Sequence, residues 1–151
     1  METIKESFNL RLNVYLLLLI IPLSILGYYF AVNNESLFFL YEWMLAALII
    51  SLIVFSVKNL VSIKDNLKWI AISILTFLIQ FSVIALFLGP LTHHLMFYLY
   101  YVIAIVSFTV FIITIRKNNS YRVIPVIFFI ITGLFTLYII ALNAIWGSDL
   151  G

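Results

Sequence analysis

The sequence predicts an all-α integral membrane protein: a polytopic bundle of five transmembrane helices, with its N-terminus cytoplasmic and its C-terminus outside. Three observations predict it. First, the 151 residues are 66% hydrophobic and only 9% charged, with a mean hydropathy of +1.24. Soluble domains are about 45–50% apolar and about 25% charged, so this chain has too little polar surface to stay in water. Second, its apolar residues fall into five runs, each near the ~20 residues that a bilayer crossing needs. Third, every Lys and Arg lies in alternate breaks between those runs. The same composition excludes a disordered chain, which needs low hydrophobicity and high charge. It also excludes outer-membrane strands, which alternate apolar and polar residues over about 10 positions.

The first run, 12–32, follows Arg11 and ends at Asn33, Asn34 and Glu35. It is longer than a signal-peptide core, and Tyr28, Tyr29 and Phe30 offer no small-residue cleavage site, so it reads as a retained span. Pro22, in mid-run, predicts a kink, because proline lacks the N–H that the helix ladder needs. Ile4 and Phe8 share a face beside Lys5 and predict either a short segment on the inner leaflet or a frayed start to this span. The second run, 37–57, is interrupted by Glu42; its helix extends to 63 if Lys58 snorkels to the headgroups. Lys64, Asp65, Asn66 and Lys68 form the next break. The third run, 69–88, stops at Gly89 and Pro90. The fourth, 95–115, has Thr92 as its expected N-cap and ends at Arg116 and Lys117. The fifth, 123–145, carries Pro125 in its first turn, where a missing N–H is harmless. With no linker or internal repeat, one transmembrane domain over 1–151 is expected.

Lys5 and Arg11 precede the first span, Lys58, Lys64 and Lys68 join the second to the third, and Arg116, Lys117 and Arg122 join the fourth to the fifth. Five spans place all three regions on one side. The opposite loops, 33–36 and 89–94, and the C-terminus hold no Lys or Arg. The positive-inside rule then makes the basic side cytoplasmic, and one span more or fewer breaks the segregation. Trp43 and Trp146 fall at the outer rim and Trp69 at the inner one, the depth that indole rings favour.

Few residues are candidates for chemistry. Glu42 lies about one and a half turns inside the second run. A carboxylate there is a proton or cation site or a partner contact, unless the span starts at Trp43 and Glu42 sits among headgroups. His93 and His94 stand at the outer start of the fourth span and, with Glu42, form a candidate outer-rim group for pH sensing or metal binding. Adjacent helical residues point about 100° apart, so the two rings do not converge on one metal as an i, i+4 pair does. They are the only histidines, so one chain cannot ligate a haem from two facing helices. Ser73, Thr76 and Gln80 share a face of the third span, and Thr132, Thr136 and Asn143 form a second polar face on the fifth. Each face either lines a pathway or bonds to neighbouring helices. The pairs Gly27/Ala31 and Ala47/Ser51, four residues apart, permit close helix approach.

Without cysteine there is no disulfide, thiolate metal site or thiol relay within the chain, and eight basic residues are too few for a nucleic-acid surface. Phosphate-binding loop, zinc-protease, nucleophile-elbow, dinucleotide and lipidation motifs are absent. No catalytic residue, metal or cofactor is assigned. The expected function is a non-enzymatic accessory or immunity-type component of a membrane complex. Its partners would be the lipid bilayer and another membrane protein or a second copy of itself, and not nucleic acid. The alternative is a transporter or channel subunit forming a homo-oligomeric pathway from the Gln80 face, although five spans do not divide into two equal repeats. A third reading is an intramembrane or rim enzyme built on Glu42, His93 and His94, with Asn143. A composition biased to Ile, Phe, Asn and Lys, as from an AT-rich genome, points to a bacterial plasma membrane.

Overall fold

A long apolar run has no side-chain partners for its backbone, so each N–H must bond within the segment, and a helix is the element that achieves this. A computed structural model of the chain describes residues 2–63, 66–88 and 93–146, apart from the side chains of 2–7 and 88. Among the described residues all regular structure is helical, with no strand. The helices are α1 (Glu2–Leu18), α2 (Ile20–Asn33), α3 (Phe38–Ser62), α4 (Leu67–Leu88), α5 (Leu95–Lys117) and α6 (Val123–Trp146), with a short 3-10 turn at Glu35–Leu37 before α3. Five helical stretches are long and apolar enough to cross a membrane: Phe8–Asn33, Glu35–Ser62, Leu67–Phe87, Leu95–Lys117 and Val123–Trp146. The 22 residues of α4 extend roughly 33 Å, enough for a hydrocarbon core of about 30 Å.

The first apolar run is two helices with a break at Leu19, whose N–H reaches back only to the Leu16 carbonyl, at 3.2 Å. Pro22 accounts for it: the ring crowds the carbonyl of Leu18 and offers it no N–H. Residues 2–18 are one helix, so Ile4 and Phe8 belong to the element that enters the first run. Helix α3 passes Lys58, which is exposed, and stops at Ser62. There Ile63 turns extended (φ −86°, ψ 133°), while its N–H still bonds to the Asn59 carbonyl at 2.8 Å. The expected Thr92 cap lies outside the described residues.

The chain divides into two compact units, Met1–Ile63 and Lys64–Gly151. In the first, α1 and α2 both pack along α3, which runs antiparallel to them. Asn13 meets Ser56 near one end, and Gly27 meets Tyr41 near the other. The buried positions are few: Leu10, Asn13, Ile20 and Gly27 against Leu52, Ser56, Asn59 and Ile63.

The second unit is a three-helix bundle. Helix α4 is antiparallel to α5, as the pairs Ser73–Thr114 and Phe87–Phe97 fix, and parallel to α6, as Phe77–Phe128 and Gln80–Thr132 fix. The buried stripe of α5 is Phe97, Tyr100, Ala104, Ser107, Phe111 and Thr114, an alternation of three- and four-residue steps that keeps one seam facing its neighbours. Toward the α5 C-terminus each helix contributes a ring. Phe77 stacks on Phe128 (centroids 4.4 Å apart, 8° between planes), and Phe111 tilts against Phe128 at 5.8 Å. Toward the α5 N-terminus, Val83, Ile84, Phe87, Phe97, Tyr100, Ala104, Ile139 and Leu142 close the core.

Candidate functional site

The most organised polar group is inside the second unit, where Gln80 is 0% exposed. Its Nε2 donates to the Tyr100 hydroxyl at 2.9 Å, and its Oε1 accepts from the Thr132 hydroxyl at 2.8 Å. The Tyr100 and Thr136 hydroxyls are 3.2 Å apart, and Thr136 donates to the Thr132 carbonyl at 2.7 Å. Each hydroxyl has one proton, so the directions follow. Thr136 gives its proton to the backbone, and Tyr100 must therefore donate to Thr136 while accepting from Gln80. The result is one directed network through α4, α5 and α6. The two faces that the sequence shows separately on α4 and α6 meet here, joined by Tyr100 of α5.

The remaining members of those faces divide. Ser73 is buried, and its hydroxyl lies 2.7 Å from that of Thr114. Thr114 directs its own proton to the Val110 carbonyl at 2.8 Å and, more weakly, to that of Trp69 at 3.2 Å, so Ser73 is the donor of the pair. Asn143 donates to the Tyr101 hydroxyl at 3.3 Å. Thr76 is half-buried on the same side of α4. Chemically this is a set of neutral hydroxyls and amides. It joins helices, and it contains no group that ionises readily near neutral pH.

The residues that the sequence assigns to an outer rim are not organised in this way. Glu42 is exposed on the second turn of α3, next to Trp43, which is 74% exposed. It belongs to the first unit, and the histidines belong to the second. His93 is exposed, and its Nδ1 accepts the N–H of Leu95 at 3.2 Å, so it occupies the capping role at the start of α5. An accepting Nδ1 is unprotonated, so in this arrangement any ring proton is on Nε2. His94 is half-buried, with its Nε2 3.3 Å from the Tyr98 hydroxyl and its ring set edge-on to Tyr98 and Phe97. The two imidazoles thus have different partners. Among the described residues no three His, Asp or Glu side chains gather as metal ligands would.

Sequence reading passed over Tyr100, Tyr101 and Thr114, and with them a polar seam in the first unit. There Asn13 Nδ2 donates to Ser56 Oγ at 2.8 Å, and Asn59 Nδ2 reaches the Asn9 carbonyl at 3.5 Å. Asn13, Ser56 and Asn59 are all buried. A readable signal existed for α5: Tyr100, Ser107 and Thr114 recur every seven residues in an otherwise apolar run. Of the small pairs, Gly27 is buried against Tyr41, while Ala31, Ala47 and Ser51 are exposed. No protein-family model, curated protein or solved structure matches the chain.

Proposed function

We propose that this chain crosses a bacterial plasma membrane five times, with its N-terminus in the cytoplasm and its C-terminus outside. In this reading it acts without catalysis, as an accessory or immunity-type component of a membrane complex. One observation carries the functional part: the interior polar groups of the second unit bond to one another. Gln80, Thr132, Tyr100 and Thr136 engage each other across three helices, leaving the chain to act through its helical exterior. That exterior is apolar, with large side chains such as Ile25, Val54, Ile105 and Leu137 outward, and suits lipid or a second membrane protein. The eight cations in alternate loops support the orientation.

The transporter reading draws on the Gln80 face, and the burial of Ser73 and Gln80 weighs against a path lined by that face between copies. Crosslinking in intact membranes, followed by purification in mild detergent, tests the choice. A stoichiometric second membrane protein is the expected product. A pure homo-oligomer that conducts a solute in proteoliposomes would replace this function with transport.

A further inference from the structure

We infer that the basic end of the second unit, where α4 begins, α5 ends and α6 begins, is a docking surface for anionic phospholipid headgroups. The inference rests on the membrane-spanning reading above. The antiparallel course of α4 and α5 brings Trp69 and Lys117 together, with the Lys117 ammonium 4.2 Å from the centre of the indole ring. Trp69 is held from below through its backbone carbonyl. The Thr114 hydroxyl touches the Trp69 carbonyl at 3.2 Å, and buried Ser73 bonds to Thr114 at 2.7 Å, so the backbone that carries the indole is tied to α5. A cation seated over a Trp face is attracted to it without being neutralised.

Among the described residues no carboxylate pairs with a cation at this end. The segments flanking these three helix ends carry Lys64, Lys68, Arg116, Lys117 and Arg122, against one carboxylate, Asp65. Lys68, Arg116, Lys117 and Arg122 are exposed, and among the described residues none of them is in an ion pair. Asn118, next to Lys117, buries an amide nitrogen that finds no acceptor among the described residues. Among the described residues this end is thus rich in donors and cations and short of acceptors and anions. The first unit differs: Lys5 and Arg11 alternate with Glu2 and Glu6 along α1. At the depth of a membrane rim, marked here by Trp69, the available anions are lipid phosphates, and exposed Lys and Arg are attracted to anionic lipid surfaces.

The test uses Trp69 as the reporter. The chain has three tryptophans, and Trp43 and Trp146 are exposed, so Trp43→Phe with Trp146→Phe leaves Trp69 alone in the full-length protein. The protein is reconstituted in phosphatidylcholine vesicles containing an equal small fraction of chain-brominated phosphatidylglycerol or chain-brominated phosphatidylcholine. The expected result is stronger Trp69 quenching by the anionic lipid. Lys117→Gln should weaken that preference on the order of fivefold. Adding Arg116→Gln and Arg122→Gln should abolish it, and high salt should reduce it in the unsubstituted protein. Equal quenching by the two lipids overturns the inference. So does a preference that survives the triple substitution. Quenching by neither lipid overturns the membrane-spanning reading itself.

Discussion

A glutamine amide in the middle of an apolar helix persists only where both ends of the amide find partners, because an unpaired polar group away from water is costly. Gln80 meets that condition with one acceptor on α5 and one donor on α6. Its contribution is nevertheless modest. When Gln80 is replaced by Leu, the Thr132 hydroxyl can return to a carbonyl of its own helix, as those of Thr114 and Thr136 already do, and Tyr100 keeps Thr136. Gln80→Leu should therefore cost about 1 kcal/mol in a reversible unfolding measurement in mixed micelles. A double-mutant cycle with Thr132→Val should give a coupling of about 0.6–1.7 kcal/mol. A coupling near zero would remove this bond from the account of what joins α4 to α6. Of the residues that looked most reactive in the sequence, Glu42 and His93 are surface groups at helix starts, and half-buried His94 packs against Phe97 and Tyr98. An isolated carboxylate or imidazole signals chemistry only when a second group faces it, and sequence does not display facing groups.

Within a helix, close packing is set by which residues are small where another helix passes. Gly27 of α2 and Gly133 of α6 are both mid-helix glycines with opposite environments. A Cβ added at Gly27 would lie 2.5 Å from the Tyr41 ring of α3, whereas one at Gly133 would meet nothing within 4 Å. Gly27→Ala should therefore destabilise by about 1–3 kcal/mol, since the Tyr41 ring must move out of its contact. Adding Tyr41→Leu should recover part of that loss. Gly133→Ala should be neutral or stabilise by up to about 1 kcal/mol through helix propensity alone. Thermal unfolding of the detergent-solubilised variants compares the two. The same logic explains how much of the candidate site was legible. The polar faces of α4 and α6 were visible as spaced residues in apolar runs, whereas the seven-residue recurrence of Tyr100, Ser107 and Thr114 on α5 went unread. That Gln80 meets Thr132 rather than Thr136 depends on the relative stagger of two helices, which neither helix encodes alone.

Across the whole molecule the dominant pattern is charge segregation, and it makes a sharp topological prediction. The chain has no cysteine, so each introduced thiol is unique. Ser36→Cys, in the turn before α3, should react with a membrane-impermeant maleimide added to intact cells. Asn119→Cys, between α5 and α6, should react only after permeabilisation. Reversed labelling would invert the orientation, and labelling of both sites in intact cells would remove the odd number of spans between them. This prediction does not depend on helix packing, because insertion reads hydropathy and flanking charge segment by segment.

Number and extent of the apolar helices were determined by sequence alone, because a run of apolar residues carries its own length and its flanking charges carry its ends. Even the interruption of the first run was signalled by Pro22, although the break falls at Leu19, next to the Leu18 carbonyl that Pro22 leaves without its N–H. Which side of each helix turns inward was decided only by tertiary structure. In a soluble protein the apolar stripe marks the inward face, but here nearly every position is apolar and the stripe has no contrast. The inward faces are instead marked by a minority of small, hydroxyl and amide residues: Asn13 and Ser56 in one unit, Ser73, Gln80, Ser107, Thr114 and Thr132 in the other. Hydropathy belongs to a residue and can be read singly. A hydrogen bond belongs to a pair, and its second member is known only when the helices have been brought together.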